Sequence, residues 1–174
     1  MIEAIIFDFD GTLVDSDPIK RSAFYEVVAG IPGAAQALDQ ILKSPGSGDR
    51  YDIFRALGAQ LGPANVDPDA LVRAYGAKCE AQILNLLGES PATAFLDALK
   101  SEGYALFVVS ATPKVDLVSM LKKTPLASRF EAIFSGPRSK PEILREIAQG
   151  HGWTMQQMIM VGDGEPDCRA AAAV

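Results

Sequence analysis

The chain has 174 residues, which is enough for one domain or for one core domain with a modest insertion. Its 16 basic and 22 acidic residues give a formal net charge of −6, which argues against nucleic acid as a partner. With no apolar run of about 20 residues, no basic leader and only two cysteines, we expect a cytoplasmic protein without a membrane partner or disulfide.

The predicted elements begin with a buried strand that leads into Asp8-Phe9-Asp10-Gly11-Thr12. Two carboxylates held together at a buried strand end repel each other, and a divalent cation is the simplest compensation. Gly11 and Thr12 allow a sharp turn that presents N–H groups to an anion. A polar strand exit into an ordinary turn explains the same residues, and both interpretations stay open at this point.

Residues 16–89 have a helical pattern throughout. Apolar spacing and Gly/Pro-rich breaks predict four helices, over 18–30, 35–42, 49–60 and 68–87. Arg50 lies where a Gly-rich loop opens the third of these helices. It is either a contact to a substrate carboxylate or sugar hydroxyl, or a surface residue at a helix start.

Strands and helices then alternate. Pro91 opens a helix that ends near residue 101, strands follow over 104–109, 130–134 and 158–161, and helices over 113–123, 141–149 and from 166 onward. This alternation indicates parallel βαβ units. We therefore predict an α/β fold: a doubly wound parallel-sheet core over 1–15 and 90–174, into which the α-helical domain 16–89 is inserted.

In such a sheet, functional residues gather at the carboxyl ends of the strands. The second strand runs into Ser110-Ala111-Thr112, whose hydroxyls and free N–H groups either hold phosphate oxygens or cap the next helix. The third is followed by Lys140. This lysine either balances carboxylates and a phosphoryl group or is a solvated surface residue.

The fourth strand runs into Asp163, which is flanked by glycines and could complete a carboxylate metal site with Asp8. Asp167 follows on the first turn of the next helix, where an acid also interacts well with the helix dipole. Each of these residues has an ordinary structural explanation. Their order, with one group at each strand exit, favours a common phosphoryl-transfer site.

With these residues in place, the chain resembles the haloacid dehalogenase (HAD) superfamily. Residues 8–15 are similar to its first motif, 110–113 to its second, Lys140 to its third and 162–167 to its fourth, GDxxxD. The resemblance spans nearly the whole chain and implies a Rossmann-like core. The inserted helices resemble the cap of the subgroup that contains phosphoglycolate phosphatase and beta-phosphoglucomutase.

The resemblance implies a role for each acidic residue. Asp8 would be the nucleophile, and Asp10 would protonate the leaving oxygen and then activate water. Magnesium would be held by the Asp8 carboxylate, the Asp10 backbone carbonyl and Asp163. Asp167 would orient metal-bound water or Lys140.

The same resemblance implies a phosphate site made by Ser110, the Ala111 amide and Lys140, together with the turn at Gly11 and Thr12. Dehalogenating members of the superfamily lack an aspartate at the position of Asp10, so phosphoryl chemistry is favoured. Members usually continue beyond the fourth motif into another strand. We therefore expect either a tail outside the sequence or an open sheet edge beside the site.

We expect an Mg²⁺-dependent phosphatase that acts on a small phosphorylated metabolite through an aspartyl-phosphate on Asp8. Two alternatives stay open. One is a sugar-phosphate mutase with the same covalent chemistry, and the other is a folded, inactive phosphate-binding module if the C-terminus is truly short. Neither the particular substrate nor the oligomeric state follows from the sequence.

Overall fold

The computed structural model describes residues 1–88 and 92–174, which contain both strands and helices. The strands are β1 Ala4–Phe7, β2 Ala105–Ser110, β3 Ala132–Ser135 and β4 Met158–Val161. The helices are α1 Asp17–Val27, α2 Ala34–Lys43, α3 Arg50–Leu61, α4 Pro68–Gly88, α5 Ala92–Ser101, α6 Lys114–Lys122, α7 Lys140–His151 and α8 Glu165–Ala172. Short 3₁₀ turns cover Pro125–Arg129 and Met155–Gln157. The predicted helix opening at Pro91 lies outside the described residues.

The observed bounds differ from the predicted ones mainly at element ends. α1 ends at Val27, before its predicted end at residue 30, and Gly30 has a φ of 89° in the turn that follows. Such a backbone conformation favours glycine and ends a helix. α7 begins at Lys140, one residue earlier than predicted, because the Ser139 N–H donates to the Glu142 carboxylate at 2.7 Å and caps the first turn.

The strands form one parallel sheet in the order β3-β2-β1-β4. The register aligns Phe7 of β1 with Val108 of β2 and with Val161 of β4, and it aligns Ser110 of β2 with Ser135 of β3. The carboxyl ends of all four strands therefore lie along one edge of the sheet. The predicted α/β class with a parallel sheet is confirmed.

Both faces of the central strand β1 are buried. On one face, Ile6 and Val109 belong to an apolar cluster with Leu144 of α7. On the other face, Phe7 contacts Phe130, with ring centroids 6.4 Å apart. Each large apolar side chain buried in this way contributes about 1.5–3 kcal/mol to folding. The residue that follows β1 is consequently attached to one of the most firmly packed elements of the core.

The described chain divides into two compact units, one of Met1–Asp17 with Ile83–Val174 and the other of Pro18–Gln82. The first unit contains the sheet and α5 to α8. The second has its own core, in which an aromatic ring of α1, one of α3 and one of α4 lie with centroids 4.4 to 5.8 Å apart. The assignment of 16–89 as a cap domain stays a prediction, and its boundary at 89–90 lies outside the described residues. Among the helices described, none has both the length and the apolar character to cross a bilayer.

Candidate active site

Asp8 directly follows β1 and is buried. Its backbone N–H donates to the Val161 carbonyl at 2.8 Å, which joins it to the end of β4. Its Oδ1 accepts the Phe9 N–H at 2.7 Å, and its Oδ2 lies 3.0 Å from Lys140 Nζ. Burial raises the pKa of the Asp8 carboxyl, and Lys140 and the Phe9 N–H offset only part of this rise. The carboxylate is therefore fixed in place beside a cation.

Lys140, the first residue of α7, joins two carboxylates. Besides Asp8, its Nζ contacts Asp167 Oδ1 at 2.5 Å. The other oxygen of Asp167 accepts the Gly164 N–H at 3.2 Å, and Asp167 is buried. Lys140 is thus no solvated surface lysine. That Asp167 orients Lys140 stays a prediction.

Asp8, Asp163 and Asp167 form an acidic cluster. Each offers a carboxylate oxygen, and these oxygens lie within 4.8 Å of one another, with Asp163 exposed and the other two buried. Oxygen ligands from a few carboxylates, with an open side for water, are what Mg²⁺ prefers in proteins. The donor set therefore fits the predicted metal. The Asp10 carboxylate is not among these three groups.

Two glycines leave room for this cluster. A Cβ at Gly11 would lie 2.3 Å from Asp163 Oδ2, and one at Gly162 would lie 2.2 Å from the Asp167 carboxyl carbon. Side-chain atoms do not approach this closely, so either substitution would displace a carboxylate. Gly11 also has a φ of 74°, which favours glycine. The first and fourth motifs are thus in direct steric contact.

The sequence predicts that the turn after Asp10 presents N–H groups to an anion. The Gly11 N–H donates to the Val14 carbonyl at 2.8 Å, so it is already engaged within the turn. The Thr12 hydroxyl is buried, and it has no hydrogen-bond partner among the described residues. The Gly11 N–H is therefore not free to meet an anion in this turn, and an anion contact at Thr12 stays a prediction. The role of Gly11 that the structure supports is to make space for Asp163.

We expect Gly11→Ala to weaken Mg²⁺ binding about tenfold or more, because its Cβ displaces Asp163. The matched control is Gly152→Ala, whose φ of 70° is similar but whose Cβ would meet nothing within 4 Å. Both variants should lose about 1–2 kcal/mol of unfolding free energy from the left-handed backbone. Calorimetric Mg²⁺ titration and urea unfolding separate the two effects. Equal Mg²⁺ affinity in both variants would contradict the prediction.

Asp10 is held by hydroxyl groups. Its Oδ1 accepts the Ser16 hydroxyl at 2.6 Å, and its Oδ2 accepts the Thr112 hydroxyl at 2.5 Å. Hydrogen bonds to an ionised carboxylate are strong and directional. The predicted acid–base residue is therefore held by one group from its own loop and one from the end of β2.

Hydrogen bonds hold the segment after β2 in place. Ser110 is buried, and its Oγ accepts the Thr112 N–H at 3.0 Å. The buried Ser135 at the end of β3 donates its hydroxyl to the Thr112 carbonyl. Pro113 precedes α6 without a side-chain cap. The alternative in which Ser110 or Thr112 caps α6 is therefore wrong, and Ala111 lies exposed between them.

Sequence reasoning missed two residues of this site, Ser16 and Ser135. Ser135 had a usable signal, because a hydroxyl residue there follows directly on a predicted strand, as Ser110 does. Ser16 had none, since nothing in its spacing from Asp10 indicates a hydrogen bond. Thr112 was noticed, but its contact with Asp10 was not foreseen.

Arg50 is the first residue of α3, in the unit Pro18–Gln82. Its guanidinium lies 5.1 Å from the centroid of the Tyr51 ring, and its Nη2 donates to Tyr51 Oη at 3.3 Å. Asp49 caps the helix in front of it. A contact between Arg50 and a substrate stays a prediction.

Curated proteins similar to this chain include phosphatases. A phosphoglycolate phosphatase from Aliivibrio fischeri is 29% identical over 185 residues, which cover 99% of this chain and 80% of that protein. One from Agrobacterium fabrum is 32% identical over 177 residues, which cover 95% of this chain and 74% of that protein. Both matches therefore extend over nearly the full chain.

Solved structures share the fold. A protein from Thermotoga maritima, provisionally described as a beta-phosphoglucomutase, matches with a TM-score of 0.74 and 19% identity, over 99% of this chain and 81% of that one. The family model of haloacid dehalogenase-like hydrolases matches residues 5–174, which confirms the predicted family and fold. The chain therefore belongs to the haloacid dehalogenase-like hydrolase family and, like its curated relatives, is an enzyme of the phosphoric monoester hydrolase class.

Proposed function

We propose that the protein is an Mg²⁺-dependent phosphatase that hydrolyses a small phosphorylated metabolite, phosphoglycolate, through an aspartyl-phosphate on Asp8. The observation that carries the proposal is the buried Asp8 carboxylate, with Lys140 Nζ 3.0 Å from its Oδ2 and two further carboxylates beside it. This arrangement combines a nucleophile with positive charge for a phosphoryl group. The phosphoglycolate phosphatases among its relatives support the choice of substrate.

In the first step, an Asp8 carboxylate oxygen attacks the phosphorus, and the bond between phosphorus and the substrate oxygen breaks. Asp10, in its protonated form, gives its proton to that oxygen, so that an alcohol leaves and the phosphoryl group stays on Asp8. The attack requires the ionised form of Asp8. Lys140 favours that form, against the burial that raises the pKa of Asp8.

In the second step, water attacks the phosphorus of the aspartyl-phosphate. The Asp10 carboxylate accepts a proton from this water, and the bond from phosphorus to Asp8 breaks with its electron pair returning to Asp8. Inorganic phosphate leaves, and Asp10 is protonated again for the next turnover. One residue thus gives and takes a proton in alternation, which requires its carboxyl to stay in the same place during both steps.

Magnesium would be held by the Asp8 carboxylate, the Asp10 backbone carbonyl and Asp163. The close grouping of the Asp8 and Asp163 oxygens supports the two carboxylate ligands. When bound, it would neutralise negative charge on the phosphoryl oxygens. Asp167 already shares Lys140 with Asp8, and it would keep the ammonium directed at the site.

The phosphoryl group would be bound by Ser110, the Ala111 amide and Lys140. The Ser110 oxygen accepts the Thr112 N–H, so its own hydrogen is available to donate to a phosphate oxygen. Lys140 supplies the positive charge of this site. Ser110 ends β2, Ala111 follows it, and Lys140 begins α7 after β3, while Asp8 follows β1, the strand paired with β2.

The test is release of inorganic phosphate from a panel of small phosphomonoesters that includes phosphoglycolate, with Mg²⁺ and with EDTA. We expect phosphoglycolate to be hydrolysed fastest and EDTA to reduce the rate about 100-fold or more. Excess Mg²⁺ added after EDTA should restore the rate.

Three outcomes distinguish the alternatives. Phosphate release that is unaffected by EDTA would contradict metal dependence. Interconversion of two sugar phosphates without phosphate release would favour a mutase. Binding of Mg²⁺ and phosphate by the folded protein, with no turnover of any ester, would favour an inactive module.

A further inference from the structure

We propose that Thr112 is a positioning residue for Asp10. Through its hydrogen bonds it connects the acid–base carboxyl to the ends of β2 and β3. The inference rests on the proposed function, since it concerns the two steps that Asp10 would perform. It adds a residue that lies on a different strand exit from Asp10, 102 positions away in the sequence.

The geometry of Thr112 supports this role. Its hydroxyl donates to Asp10 Oδ2 at 2.5 Å, while its N–H donates to Ser110 Oγ at 3.0 Å and its carbonyl accepts the Ser135 hydroxyl. Ser110 and Ser135 are buried at the ends of their strands, where the register places them opposite each other. Three polar groups of Thr112 are therefore engaged, and two of its partners are buried residues at strand ends.

The Asp10 side chain needs such support because it rotates about two single bonds. The Ser16 hydroxyl fixes Oδ1, but one contact leaves the carboxyl group free to turn about that oxygen. The Thr112 hydroxyl, from the segment after β2, fixes Oδ2 and so determines the plane of the group. Proton transfer depends strongly on this placement, since misplacing a reacting group by about 1 Å costs on the order of 100-fold in rate.

The test uses Thr112→Val, which removes the hydroxyl and keeps the shape, and Thr112→Ser, which keeps the hydroxyl. With phosphoglycolate, we expect Thr112→Val to lower kcat about 10–100-fold with KM changed by less than about threefold. Thr112→Ser should restore kcat to within about threefold of the unmodified protein. Thr154→Val is the matched control, because Thr154 is exposed and caps only a short 3₁₀ turn. It should leave both constants unchanged.

A second substrate separates positioning of Asp10 from general damage to the site. p-Nitrophenolate leaves without needing a proton, so the first step with p-nitrophenyl phosphate does not depend on Asp10, whereas the second step does. Thr112→Val should therefore release a burst of about one p-nitrophenol per enzyme, followed by slow turnover. The phosphoryl group trapped in this state should be found on Asp8 by mass spectrometry.

Two results would overturn the inference: a normal kcat in Thr112→Val, or a first turnover of p-nitrophenyl phosphate slowed as much as that of phosphoglycolate. Should Thr112→Val not fold, as judged by near-UV circular dichroism, Ser135→Ala tests the same set of hydrogen bonds. It should show a smaller burst of p-nitrophenyl phosphate cleavage. Failure of the proposed function looks different. The unmodified protein would then form no aspartyl-phosphate and hydrolyse neither ester, and the positioning role would fall with it.

Discussion

Replacing Asp8 with asparagine is expected to lower phosphate release by about 10⁴-fold or more, the loss typical of removing a catalytic nucleophile. Asparagine has the same shape, and its side-chain oxygen can still accept the Phe9 N–H that now bonds Asp8 at 2.7 Å. It cannot, however, form the aspartyl-phosphate. Phosphate release measures the loss of turnover. Mass spectrometry of protein quenched during turnover should find a covalent phosphoryl group only when Asp8 is present.

Folding should survive this substitution. The variant removes one of three clustered carboxylates, so like-charge repulsion falls, and we expect the unfolding free energy in EDTA to stay the same or rise. Asp69→Asn, at an exposed position in the first turn of α4, is the matched control and should retain full activity. Turnover at the normal rate in Asp8→Asn would remove Asp8 as the nucleophile.

Replacing Lys140 with methionine should have the second largest effect. The ammonium lies 3.0 Å from Asp8 Oδ2 and 2.5 Å from Asp167 Oδ1, and all three side chains are largely buried. Without it, the transferring phosphoryl group loses a fixed positive charge, and kcat/KM should fall about 10²–10³-fold. Two carboxylates also lose their partner, so the unfolding free energy in EDTA should fall by about 3 kcal/mol.

Mg²⁺ binding distinguishes loss of the Lys140 charge from general disruption of the acidic cluster. Because a cation has been removed beside the acidic cluster, Lys140→Met should bind Mg²⁺ at least as tightly as the unmodified protein. Saturating Mg²⁺ should in turn recover part of the lost stability. Calorimetry and urea unfolding measure both. Lys122→Met, at an exposed position in the last turn of α6, is the control. Weaker Mg²⁺ binding in Lys140→Met alone would contradict this account.

Much of the fold was predictable because its signals are local. An apolar run followed by a polar turn indicates a buried strand wherever it occurs, and alternation with helices indicates a parallel sheet. Parallel strands in turn bring their carboxyl ends to one edge, which is why Asp8, Lys140 and Asp167 could be expected together before any contact was known.

The remainder depends on contacts that no local pattern encodes. The hydrogen bond from Thr112 to Asp10 joins residues 102 positions apart, and its partners Ser16 and Ser135 are ordinary serines in the sequence. The division between the two units falls at Gln82, inside α4, where the helical pattern continues without a break. The Gly11 N–H was expected to meet an anion, but the competing Val14 carbonyl lies only three residues away and bonds it instead.

The pairing of β1 has a consequence for the order in which the molecule forms. Ala4 is paired with Ala105 on one side and with Met158 on the other, so both described sheet neighbours of the strand that leads into Asp8 are far from it in sequence. Closing such long loops costs entropy before the strand contacts form and stabilise the sheet. Sheets of this kind therefore fold slowly. Until β4 pairs with β1, the sheet does not hold the carboxylates of Asp8 and Asp163 together. Competence to bind the metal should therefore appear late in refolding, together with the final closure of the sheet.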